Sequence, residues 1–269
     1  MTASSSLGFA GSWRAAWSVA WLLALREWLS GYRASHWNAL WPLLYPVLYT
    51  ALLLAVRPLL GQQAHDPARY ALFAFVGFSL WQAWIETLRA QLGALRRYKS
   101  LVARGDMGTG TIALSGAMTA LIQLAPRLVL AVVLALATRH DVSLLSLGML
   151  LLGGALVVVN ATAIGTLLQP WSTLTPGVDR VVQSVTLALI FTGGVFLPLP
   201  ADPPPLVAWL LALNPFGALL DMARAPLLGD TMQSPGLAMA WTAITVCLVL
   251  LARHLAPRLL PIVVERMGN

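Results

Sequence analysis

The chain has 269 residues, 58% of them hydrophobic and 10% charged, with a formal net charge of +7. A soluble domain has about a quarter of its residues charged, so the length does not license a soluble two-domain reading. The positive balance fits the Lys and Arg bias of cytoplasmic loops in membrane proteins better than a nucleic-acid partner, and a single cysteine, Cys247, excludes an intramolecular disulfide.

Long stretches carry no charge. Between Arg33 and Arg57 the one exception is His36; from Met107 to Pro126, Val142 to Val178, Val181 to Ala201 and Thr231 to Ala252 there is none. A bilayer core takes roughly 20 apolar residues of helix. The sequence therefore predicts an all-α integral membrane protein forming one transmembrane domain over 1–269.

No basic n-region and short apolar h-region precede a small-residue cleavage site, so no cleavable leader is expected. Over 7–33, Trp13, Trp17, Trp21 and Trp28 share one side of a helix and Arg26 and Arg33 the other. The apolar run from Arg14 to Arg26 is too short to span, which predicts an amphipathic helix lying in the membrane interface. The plainer alternative is an ordinary packed helix. Span one is predicted at Trp37–Val56, with kinks at Pro42 and Pro46, and span two at Tyr70–Leu92 after a short loop, Gly61–Arg69. A basic loop follows. Span three is predicted at Ile112–Ala137, span four at Ser143–Leu168, then a turn-rich linker Gln169–Arg180 and span five at Val181–Leu197, so that spans one to five occupy 37–197. Within 198–235 a proline run precedes Leu206–Leu220, which is broken by Asn214-Pro215. That piece reads as an extracytoplasmic re-entrant helical pair hinged at Asn214 and Pro215. Span six, Leu237–Ala252, lies in the closing segment 237–256.

Orientation follows from the basic residues. With both termini in the cytoplasm, Arg14, Arg26, Arg33, Arg89, Arg96, Arg97, Lys99, Arg104, Arg180, Arg253, Arg258 and Arg266 lie inside. Arg57, Arg69, Arg139 and Arg224 lie outside. This is the positive-inside arrangement, and six spans agree with it.

Ionisable groups within spans are costly and functional by default. Arg127 follows Pro126 and can face an aqueous path or snorkel to the outer interface. Glu86 and Arg89, three positions apart, are expected to form a local pair. Glu86 and Arg127 are not, since each lies roughly 24 Å along its own helix from opposite faces. Asp221 and Arg224 share a face and read as structural. His36, His65, His140 and His254 are scattered, so no metal site is expected, and no catalytic constellation is readable. The only lysine, Lys99, lies in Gly93-Ala94-Leu95-Arg96-Arg97-Tyr98-Lys99-Ser100. Tyr98 stands where a P-loop needs its second glycine, so no nucleotide site is expected in this chain.

Four stretches in this order carry a resemblance. They are Leu25-Arg26-Glu27 through Arg33 into Trp37-Asn38-Ala39-Leu40-Trp41-Pro42-Leu43-Leu44; Tyr70-Ala71-Leu72-Phe73 with Gly77 and Trp81-Gln82; the basic loop; and Trp209-Leu210-Leu211-Ala212-Leu213-Asn214-Pro215-Phe216 with Ala223-Arg224 and Leu227-Leu228-Gly229. Together they resemble the permease subunit of ABC-2 ATP-binding-cassette exporters, most of all the branch for capsular polysaccharide, O-antigen and teichoic acid. The chain departs from that family where the basic loop ends in Arg104-Gly105-Asp106-Met107-Gly108 rather than a Pro-rich turn.

The resemblance implies a homodimeric permease of the bacterial inner membrane that exports lipid-linked, capsular polysaccharide. It implies two copies of a separate ATPase that bind ATP and Mg, with no cofactor in this chain. Membrane lipids and a periplasmic polysaccharide co-polymerase are further expected partners, and nucleic acid is not one. ATPase contact is expected at Gly31, Tyr32, Arg33, Arg96, Arg97, Lys99, Arg104 and Asp106; the plainer reading of these cations is contact with anionic lipid. Trp37, Trp41, Tyr45 and Tyr49 recur every fourth residue on one face of span one, with a weaker set at Phe78, Trp81 and Trp84. These rings, with Arg127, are the expected substrate path, since flat aromatic faces suit the C–H faces of sugars. Helix packing with an interface belt is the other reading. An ABC-2 exporter of another lipid, drug or small amphiphile, and a membrane-embedded transferase, are the alternative functions.

Overall fold

A computed structural model describes residues 9–34, 36–60, 66–105, 107–138, 142–175, 177–198 and 203–268. The described residues form helices α1 (Phe9–Ala34), α2 (His36–Val56), α3 (Pro67–Arg97), α4 (Lys99–Ala103), α5 (Thr109–Thr138), α6 (Leu144–Leu174), α7 (Gly177–Thr192), α8 (Pro205–Leu213), α9 (Pro215–Leu228) and α10 (Pro235–Gly268). One 3-10 turn, Arg57–Leu60, closes α2.

Local chemistry sets several boundaries. Asp66 caps α3 by accepting from the N–H groups of Ala68 and Arg69, with proline in the first turn. Ser143 caps α6 through the Ser146 N–H. Gly229 ends α9 in the left-handed conformation, φ 74°, which its missing Cβ permits.

Five helical segments are long and apolar enough to cross a bilayer: Leu40–Leu59, Pro67–Arg97, Thr109–Thr138, Leu144–Leu174 and Pro235–Arg266. α8 and α9 would add a sixth only if the pair counts as one span, and they are bent by 83° at Asn214. The predicted span five is shorter than expected. α7 has 16 residues and stops at Thr192, and the chain continues through residues 193–197 as turns with Gly194 at φ 65°. The predicted linker 169–180 also shrinks, because α6 runs through Pro170 to Leu174. Proline inside a membrane helix is tolerated where neighbouring groups take up the freed backbone.

Helices α2 and α5 run one way and α3, α6 and α10 the other, and their contacts sort into two ends. At one, Arg69 pairs with Asp230 and Ser146 donates to the Pro226 carbonyl. At the other, Arg97 pairs with Glu27, Arg96 pairs with Asp179, and Val263 of α10 packs with Ala94, Val102 and Ile112. The core lies between them, where α3, α6 and α9 meet around Phe75, Trp84, Val157, Phe216 and Leu219. Small residues allow the approach: a Cβ on Gly153 of α6 would stand 2.5 Å from that of Ala223 of α9. The periphery differs. α8 buries no residue, α7 buries only Thr186 and Ile190, and α1 packs on α5 through Ala20 and Ala24 while Trp17, Trp21 and Trp28 stay exposed.

Candidate functional site

Arg127 lies at the junction of α2, α3 and α5. Its side chain is wholly buried; Nη2 reaches Glu86 at 3.1 Å and Nε donates to the Pro42 carbonyl at 2.8 Å. That carbonyl lies four residues before Pro46, which has no N–H to give it. The guanidinium therefore satisfies the acceptor that the kink leaves behind. Two expectations are corrected: Glu86 pairs with Arg127 rather than Arg89, and Arg127 neither faces an open path nor snorkels. The reason is direction. Side chains lean toward the N-terminus of their helix, and α3 and α5 start at opposite ends of the bundle, so Glu86 and Arg127 lean toward each other. Gln82 holds the second Glu86 oxygen at 2.8 Å.

The expected hinge is a double cap. Asn214 is fully buried; its Oδ1 accepts from the N–H groups of Phe216 and Gly217, which opens α9. Its Nδ2 donates to the Leu189 carbonyl and the Thr192 hydroxyl, both at 2.9 Å, which closes α7. One amide thus ends one helix and starts another. The turn after α7 is held by Arg224, which donates to the Gly194 carbonyl at 2.7 Å and lies over the Phe73 ring. Gly77 lets this turn approach, since a Cβ there would stand 2.6 Å from the Val195 carbonyl. Asp221 accepts from the Gln233 N–H.

The aromatic residues divide. Trp41, Tyr45, Tyr49, Phe78 and Phe196 follow one another with ring centroids 5.3, 5.5, 4.4 and 6.0 Å apart. Trp41 and Tyr49 are exposed, so the series has an open face. Trp81 and Trp84 do not share it. Both are buried against Phe216, and Trp84 donates to Asn160. With no face toward a passing ligand, these two are core residues, which corrects their placement in a path. The side chain of Trp37 lies outside the described residues.

At the Arg97 end, the basic side chains tie elements together. Arg97 reaches Glu27 of α1 at 2.5 Å, and Thr119 of α5 lies 3.4 Å from the other Glu27 oxygen. Arg96 holds the α6–α7 corner through the Ser172 carbonyl and Asp179. Arg104 donates to the Ser100 carbonyl, and Lys99 opens α4. Tyr98 sits between them; burial, and then the Glu27 carboxylate, raise its phenol above the usual range, so it stays neutral. Asp106 and the details of Gly31, Tyr32 and Arg33 lie outside the described residues. Among the described residues no three His, Cys, Asp or Glu side chains gather as metal ligands.

Three buried amides, Asn160, Gln91 and Gln169, carry a sequence signal of their own. Asn160 is fully buried in a charge-free run, and it joins Trp84 of α3 to Thr245 of α10. Gln91 donates to the Ala113 carbonyl, while Gln169 donates to the Gln91 carbonyl. A lone amide inside an apolar run marks a contact between helices.

The fold is all-helical among the described residues, and its five long apolar helices are consistent with a membrane-embedded protein. No protein-family model matches the chain, and no curated protein matches its sequence.

Proposed function

We propose that the chain is the membrane-spanning permease subunit of an ATP-driven exporter of the ABC-2 class, moving lipid-linked capsular polysaccharide out across the bacterial inner membrane. Both termini and the Arg97 end are cytoplasmic, α1 lies in the inner interface, and α8–α9 form the re-entrant pair before the sixth span. A homodimer encloses the path, and each copy engages one ATPase through the cations around α4.

The observation that carries this reading is the ring series from Trp41 to Phe196 on the open side of α2. Trp41 and Tyr49 are exposed there, and their apolar ring surfaces would meet the C–H faces of a sugar chain. Two further features support it. The backbone break at 193–197 and the 83° bend are of the kind that membrane interiors tolerate only when protein shields them. Arg97 and Arg96 connect the α3–α4 corner to α1 and to the α6–α7 corner, so a push there reaches three elements at once. A second reading, export of another lipid or amphiphile, is favoured by an apolar groove of about 510 Å³ between α5 and α6 that suits an acyl chain.

The test is a detergent pull-down with the full chain. A co-purifying P-loop ATPase whose hydrolysis rate changes with added lipid-linked polysaccharide supports the proposal. Capture of no ATPase overturns it.

A further inference from the structure

At the Arg69 end a cavity of about 540 Å³ opens between the start of α3, the last turns of α9 and the turn beyond it. Arg57, Arg69, Arg224, Asp66, Asp221 and Asp230 line it, so its formal charge is balanced. Its hydrogen bonding is not. Each carboxylate is engaged: Asp66 by the N–H groups of Ala68 and Arg69, Asp221 by that of Gln233, Asp230 by the Arg69 guanidinium.

Two arginines keep donors in reserve. A guanidinium has five N–H groups. Arg224 is 6% exposed and, among the described residues, makes one hydrogen bond, to Gly194, with its Cζ 3.7 Å from the Phe73 ring centre. Arg57 lies 4.0 Å over the Tyr70 ring, and its buried Nε has no acceptor among the described residues. The Tyr70 and Phe73 rings stack at 6.1 Å. The two guanidiniums are thus clipped to one ring pair, which fixes them along the wall of one cavity. A buried cation with idle donors is costly, and a hydrogen-bond acceptor bearing negative charge would relieve that cost. The three aspartates limit the charge such a ligand can carry. A planar carboxylate suits the guanidinium fork, whereas a multiply charged phosphate would face all three.

We propose that this vestibule binds a single sugar carboxylate of an acidic glycan, held by Arg57 and Arg224. The proposal rests on the glycan-export reading and narrows it to polymers that carry uronate-type residues. It also explains where the ring series leads. Tyr70 donates to the carbonyl of Phe196, the last ring in that series, at 2.9 Å. The series therefore ends at the ring that carries Arg57.

The test uses the full chain in phosphatidylcholine nanodiscs, titrated with tetragalacturonate and with neutral maltotetraose by calorimetry at low salt. The expected result is tetragalacturonate binding at least about tenfold tighter than maltotetraose, with Arg57→Gln removing that margin and Arg57→Lys keeping part of it. Arg57 is partly exposed and supports no backbone break, so the variants fold; the thermal midpoint of each checks this. Equal binding of the two oligosaccharides, binding of neither, or full binding by Arg57→Gln overturns the proposal. So does a phosphatidylglycerol nanodisc that abolishes tetragalacturonate binding, since the site would then belong to lipid headgroups. The assay needs no ATPase. Its failure beside a successful pull-down refutes the vestibule alone, and its success beside a failed pull-down refutes the exporter alone.

Discussion

Arg127 and Arg224 are both buried, and both serve a broken helix, yet they differ in what surrounds them. Arg127 answers the carbonyl that Pro46 leaves open in α2 and is neutralised by Glu86. Arg224 answers a carbonyl in the turn after α7, with no carboxylate in direct contact among the described residues and with a cavity beside it. The first is a closed structural unit. The second leaves capacity for a ligand. Burial alone therefore does not separate a structural charge from a functional one; the balance of donors and acceptors around it does.

The largest effect should follow from breaking the closed unit. Arg127→Leu strands the Pro42 carbonyl and takes one partner from Glu86, so a loss of about 2–3 kcal/mol is expected, read as a lower yield of folded protein and a lower thermal midpoint in detergent. Glu86→Leu added to it should recover part of that loss, because no uncompensated charge remains; an additive double variant would show that the pair is not coupled. Next comes the double cap. Asn214→Ala removes the acceptor for α9 and the donor for α7, and should cost about 1–2 kcal/mol. Asn214→Asp keeps the acceptor but turns a carboxylate oxygen toward the Leu189 carbonyl in a buried site, so it should recover none of that loss. On the functional side, replacing Arg97 and Arg104 together by alanine should reduce ATPase capture, and unchanged capture would show that these cations only meet lipid. The smallest effect belongs to Arg69–Asp230, a half-exposed pair whose loss should cost under about 1 kcal/mol.

Much of the helical layout was legible in the sequence, since uncharged runs flanked by arginines leave few alternatives. The 36–56 helix and the Asn214-Pro215 bend were readable for local reasons: composition, and a capping residue before proline. What escaped was set by neighbours. Pro170 reads as a linker residue but stays helical inside the bundle. Val181–Leu197 reads as one span, but Gly193 and Gly194 let it turn where Arg224 and Asn214 wait to take its carbonyls. Glu86 and Arg127 are too far apart along a ruler; they meet because antiparallel helices lean their side chains toward each other. Trp81 looked like a member of the ring series, yet only α9, far along the chain, decides that it is core.

The proposed function is that of a conduit driven by a motor on another chain. The direct measurement is ATP hydrolysis by the purified full chain in nanodiscs, alone and with its co-purified ATPase, with and without lipid-linked polysaccharide. The expected result is no turnover by the chain alone and a glycolipid-dependent rate for the complex. Hydrolysis by the chain alone would contradict it.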